Sequence, residues 1–213
     1  MLEKVVMLYR KAEMGMISSL SGVSDTVIEE TSFYDVGYMQ TQISRIQKEL
    51  KRITNELEIQ LELKDTSNYG KNKRVELLQQ REQLLFHMIF LASNSFRNLE
   101  DCIKMAAGHS FVFMQCVEAL REYQTGNKEK AFTLLEAYYR EYGSVEEHYL
   151  INKVFGLLLV EKGFWKKAVP FLTYALQFVP DDVECLQVLK ECYGQLKETK
   201  KEIVVKEILE VLS

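Results

Sequence analysis

The chain has 213 residues, 47% apolar and 27% charged, with a formal net charge of −4 at pH 7. That composition supplies a core, and its interspersed charges argue against a nucleic-acid or acidic-membrane surface. It contains no run of about 18 uncharged apolar residues, so no membrane span is expected.

With only 2 prolines and 10 glycines, long helices are favoured over many turns. The opening MLEKVVMLYRKAEMG has charges inside its apolar stretch and lacks a signal-peptide core, which points to a cytoplasmic protein. Residues 2–20 read as a helix with Leu2, Val5, Val6, Tyr9, Ala12 and Met16 near one face. Ser19, Ser21, Gly22 and Ser24 break it. Asp25–Gly37 is the least regular segment, with VIEE as a candidate short helix.

From Met39 the pattern becomes a heptad seam: Met39, Ile43, Ile46, Leu50, Ile53, Leu57 and Leu61 follow one another at spacings of three and four, with polar residues between. The polar run Asp65–Asn72 predicts a turn. A second long helix is expected over Lys73–Ala107, with Leu84, Leu85, Met88 and Leu91 able to satisfy the seam within one chain. Two long helices with a short connection predict an antiparallel helical hairpin, or coiled coil, within a first region 1–108. Lys64, Lys71, Lys73 and Arg74 make its tip basic, a solvated tip or a docking spot for an acidic partner.

Gly108 closes that region. Within 109–213, Leu150–Glu161 and Trp165–Val179 are apolar helical patterns joined by Lys162-Gly163. Gly156 and Ala168 are small where two antiparallel helices approach, and Gly163 suits a turn needing positive φ. Pro180 stops the second helix. Asp181 with Glu184, and Ser144 with Glu147, have the spacing of capping boxes. Pro170 lies past the first turn of its helix, where a kink is expected. Phe155-Gly156, Gly163, Trp165, Ala168, Leu172, Ala175 and Pro180 together resemble one tetratricopeptide (TPR) repeat, a helix–turn–helix of about 34 residues. Asn152 departs from the bulky aromatic usual there.

A weaker copy covers Phe111–Gln124 and Asn127–Tyr142, where Gly126, Ala131 and Leu135 match Gly163, Ala168 and Leu172. Gly126 and Gly163 are 37 residues apart, slightly over the family's period. Val183–Gln195 and Thr199–Leu212 form a degenerate terminal pair that keeps only Gly194. The expected fold is therefore all-α: an N-terminal helical hairpin followed by a short TPR-like α-solenoid.

The resemblance implies a groove lined by the first helix of each repeat. Its residues would be Phe113, Leu120 and Tyr123 from the first repeat, Leu150, Lys153 and Leu157 from the second, and Glu184, Gln187 and Glu191 from the third. Cys116 and Leu120 occupy the positions where chaperone-docking relatives place a carboxylate clamp, so an apolar or amphipathic peptide is the expected ligand, with Lys153 and the Glu184/Glu191 pair selecting charge.

No catalytic constellation stands out. Cys102, His109 and Cys116 are evenly spaced, but Gly108 interrupts the helix between them and zinc sites favour tight ligand pairs. Phosphate-loop and nucleophile-elbow motifs are missing. All four cysteines, Cys102, Cys116, Cys185 and Cys192, fall on apolar helix faces and are expected to be reduced core thiols. A non-enzymatic adaptor or chaperone-like protein is expected, without metal or cofactor, binding a protein or peptide. One rival is a structural protein that self-associates, as a homodimer for instance, through the Met39–Leu61 seam. Another is a peptide-responsive regulator.

Overall fold

The computed structural model describes residues 36–143 and 148–212. The expected helix over 2–20, most of Asp25–Gly37 and the Ser144/Glu147 box lie outside them. Among the described residues the structure is all-α, as expected, with nine α-helices and no strand. These are α1 (Val36–Glu62), α2 (Asn68–Ala92), α3 (Leu99–Met105), α4 (Met114–Gln124), α5 (Lys128–Tyr142), α6 (Tyr149–Glu161), α7 (Trp165–Phe178), α8 (Val183–Gln195) and α9 (Thr199–Leu212). A single 3-10 turn, Phe96–Asn98, separates α2 from α3. No helix among the described residues is long and apolar enough to cross a membrane. The described residues divide into two compact units, one ending at Glu118 and one beginning at Ala119.

In the first unit α1 and α2 pack side by side. Lys73 lies 3.8 Å from Glu56, and Arg74 donates to the Asp65 carbonyl at 2.9 Å, so the two helices run in opposite directions. Ile53, Leu57 and Leu77 are buried between them, with Leu84 packed against the cluster. The rest of the seam is less enclosed: Ile43, Ile46 and Leu50 are half-buried and Leu61 is 64% exposed.

The second helix differs from the one expected over Lys73–Ala107. It starts inside the polar run, because the Ser67 hydroxyl accepts from the Gly70 N–H and caps it. A Cβ at Gly70 would lie 2.6 Å from the Asp65 carboxyl group, so the tight turn requires glycine there. The helix stops at Ala92, where side chains take over backbone acceptors. Ser93 and Asn94 both donate to the Phe90 carbonyl, and Asn98 donates to that of Ala92. α3 then packs back on α2, with the buried Cys102 thiol against the Ile89 carbonyl.

The second unit contains the end of α4 and α5 to α9. Consecutive helices from α6 to α9 pack in pairs, and α6 also touches α8. Gly156 explains the close approach of α6 and α7: a Cβ there would sit 2.8 Å from Leu172 Cγ. α4, α6 and α8 end in the same way. The residue after the C-cap takes positive φ, at Gly126 (88°), Gly163 (77°) and Lys197 (59°). Each donates to the carbonyl three residues back, and the following N–H reaches the carbonyl five back. This is the Schellman arrangement, which satisfies carbonyls left open at a helix end. The second and third turns are 34 residues apart. Gly194 stands near the third turn as expected, in the last turn of α8, where its carbonyl accepts from the Lys197 N–H.

α7 runs through Pro170 without interruption. The cap expected at Asp181 is formed by Asp182, whose carboxylate accepts from the Cys185 N–H at 3.1 Å, so the box with Glu184 does not form, while α8 begins at Val183 as expected. α6 is capped by His148, fully buried, whose Nδ1 accepts from the Ile151 N–H.

Candidate binding face

Eight of the nine groove candidates lie in the unit that begins at Ala119; Phe113 belongs to the other. Phe113 is buried there, 5.2 Å from the Phe90 ring and 5.8 Å from Phe86. Leu120, Leu150 and Leu157 are also buried, so they are core residues and not an open apolar strip. α6 packs on both its partner α7 and the next first helix α8, which leaves Leu150 and Leu157 little open surface.

Tyr123, Lys153 and Glu184 are brought together. Lys153 places its ammonium 2.8 Å from Asp182 and 2.8 Å from Glu184. Burial works against its charge, yet hydrogen bonds to Asp182 and Glu184 hold its pKa above the ordinary lysine value. Burial likewise opposes ionisation of Asp182, but hydrogen bonds from Lys153, Tyr149 and the Cys185 N–H hold its pKa below the ordinary aspartate value. The Tyr149 hydroxyl donates to Asp182 at 2.5 Å. Burial, then the negative field of Glu184, raises the pKa of Tyr123.

This corrects the role expected for Lys153. Its charge is committed to Asp182 and Glu184, so it does not select a ligand's charge. Asp182 and Tyr149 escaped the sequence reading because Asp181-Asp182 offers two equivalent caps, and a link across 29 residues leaves no local pattern. Gln187 and Glu191 are exposed on α8, and Glu184 is largely so. The face is thus polar and acidic at its accessible positions, above an apolar layer.

Between the turns, Lys128 pairs with Glu161 at 2.5 Å and Lys162 pairs with Glu129, a reciprocal exchange between α5 and the end of α6. Exposed pairs of this kind add little stability.

All four cysteines are free and buried. Burial pushes the thiols of Cys102 and Cys192 up to about 11, and those of Cys116 and Cys185 also upward, so they stay protonated and weakly nucleophilic at neutral pH. His109 is occupied in its own unit: it stacks on Phe111 and reaches Glu82 at 2.8 Å. Comparison with protein-family models, curated proteins and solved structures finds no match to this chain.

Proposed function

We propose that the chain is a non-enzymatic adaptor whose unit from Ala119 onward is a TPR-like array holding a peptide segment of a partner protein. The observation that carries this reading is the threefold Schellman turn at Gly126, Gly163 and Lys197, with α6 and α8 in direct contact. Stacked helix–turn–helix units of this kind present their first helices as a continuous surface. Because Leu120, Leu150 and Leu157 are buried and Glu184 is paired with Lys153, the ligand is polar or basic and meets the accessible Gln187 and Glu191 with basic or amide groups. The test is a pull-down from lysate of the native organism comparing wild type with Gln187→Lys/Glu191→Lys, which leaves the Lys153 network untouched. A partner lost in the variant, with circular dichroism unchanged, supports the reading. Equal recovery in both removes this face as the binding site.

Self-association is the second reading. Ile53 and Leu57 are already used within the chain, but Ile59, Leu61, Leu63, Val75 and Leu78 remain exposed around the end of the α1–α2 pair. A contiguous apolar surface formed by these side chains would suit a second copy of the chain. Sedimentation of wild type and Leu61→Glu/Leu78→Glu decides it: a dimer that becomes a monomer supports self-association, and a wild-type monomer at all concentrations ends it.

A further inference from the structure

A cleft of about 580 Å³ opens among α5, α6 and α7, on the side of the second helices and away from the residues considered above. Its floor is aromatic. Tyr139 stacks on Phe155 at 4.7 Å and 6°, and Phe171 stands edge-on to both rings at 5.0 and 4.9 Å. Tyr139 and Phe171 are only half-buried, so part of each ring is available. Arg140, Lys167 and Glu136 stand exposed on the rim, and none of their side chains makes an ion pair or hydrogen bond among the described residues. The Lys167 ammonium lies over the Phe164 ring at 5.1 Å. Pro170 completes the rim and has no N–H to give the Lys166 carbonyl four residues back.

We infer that this cleft is a second binding site, for an acidic peptide segment with a bulky aromatic or aliphatic side chain beside its carboxylate. The side chain packs against Tyr139 and Phe171, in a volume within the usual range for side-chain and ligand pockets. The carboxylate meets Arg140 and Lys167, two cations without an ion pair among the described residues, against one rim carboxylate; the guanidinium fork binds carboxylate in two parallel hydrogen bonds. Glu136, one helical turn before Arg140, repels a second carboxylate and confines the acid to the cationic part of the rim.

The inference stands apart from the α8 face and is tested separately, by fluorescence anisotropy with the full chain. The probe is a fluorescein-labelled peptide Gly-Ser-Glu-Asp-Phe-Gly-Ser, compared with one bearing Ser for Phe and one bearing Gln-Asn for Glu-Asp. Saturable binding of the first, weakened about tenfold or more in both controls and in Arg140→Glu/Lys167→Glu, is the expected result. Both substituted residues are exposed, so circular dichroism of the variant should match wild type. Gln187→Lys/Glu191→Lys should bind the probe as wild type does. The inference is overturned by absence of saturable binding, by equal binding of the Gln-Asn peptide, by indifference to the Arg140/Lys167 change, or by loss of binding in the α8-face variant.

Discussion

Lys153 on α6 places its ammonium 2.8 Å from Asp182, the residue that caps α8, so one carboxylate both starts a helix and ties it to the preceding first helix. Asp182→Asn separates the two roles, since asparagine caps about as well as aspartate but carries no charge. The variant should lose about 2–3 kcal/mol at neutral pH, less than for a fully isolated buried pair because Glu184 still partners Lys153. Asp182's folded pKa is depressed, so its contribution is complete above the unfolded value of about 4 and is lost as pH falls through the folded one. Urea midpoints of wild type and variant should therefore converge as pH drops below about 4. A constant gap down to the lowest pH would show that the ion pair contributes nothing.

Gly156 makes a second prediction. Alanine there would drive its Cβ into Leu172, 2.8 Å from Cγ and 3.3 Å from the backbone nitrogen. Overpacking of this kind costs about 1–3 kcal/mol. Gly156→Ala should lower the thermal midpoint, and in Leu172→Ala background the same change should cost less, because the side-chain part of the clash is gone. Additive losses in the double variant would mean that the α6–α7 approach is looser than the geometry indicates.

Leu157 separates a core position from a ligand contact. It is 7% exposed, and Lys153, one helical turn before it, is already paired with Asp182 and Glu184, so a glutamate there would gain no free cation. Burying an unpaired carboxylate costs several kcal/mol, a large fraction of a domain's stability. Leu157→Glu should therefore lose helical ellipticity at 222 nm along with any binding. A variant that keeps wild-type ellipticity would return Leu157 to the accessible face.

The helical architecture was legible because its signals are local. Periodicity placed α8 and α9 to the residue, and Gly126 and Gly163 marked two of the three turns. The third was hidden because Lys197, not glycine, takes the positive-φ position, and no pattern of residue types announces that. Ser93, Asn94 and Asn98 hid the break after α2 in the same way: polar residues are common on helix surfaces, and only the geometry shows them bonding to Phe90 and Ala92. For the binding face the first-helix register brought Tyr123, Lys153 and Glu184 to one place, but burial depends on what stacks above each helix. Leu150 and Leu157 could not be sorted from surface positions by spacing alone, and the Lys153–Asp182 link is non-local. The aromatic cleft draws on three helices, with Pro170 visible in the sequence only as an oddity.

Lys197 carries the last prediction. Its φ of 59° puts a Cβ-bearing residue where the other two turns use glycine, and left-handed backbone costs a non-glycine residue about 1 kcal/mol. The Schellman bonds are already in place, with the Lys197 N–H on the Gly194 carbonyl and the Glu198 N–H on that of Tyr193. Lys197→Gly should keep both bonds and remove the strain, offset in part by the greater freedom of glycine in the unfolded chain. The net expectation is a gain of about 0.5 kcal/mol, read as a thermal midpoint higher by about 1–2 °C for a chain of this size. Gly163→Ala is the mirror experiment: a Cβ there meets no neighbour within 4 Å, so any loss is conformational and should be about 1 kcal/mol. Opposite signs in the two variants would establish that the turns share one backbone geometry. A destabilised Lys197→Gly would mean that the lysine side chain contributes more than its backbone strain removes.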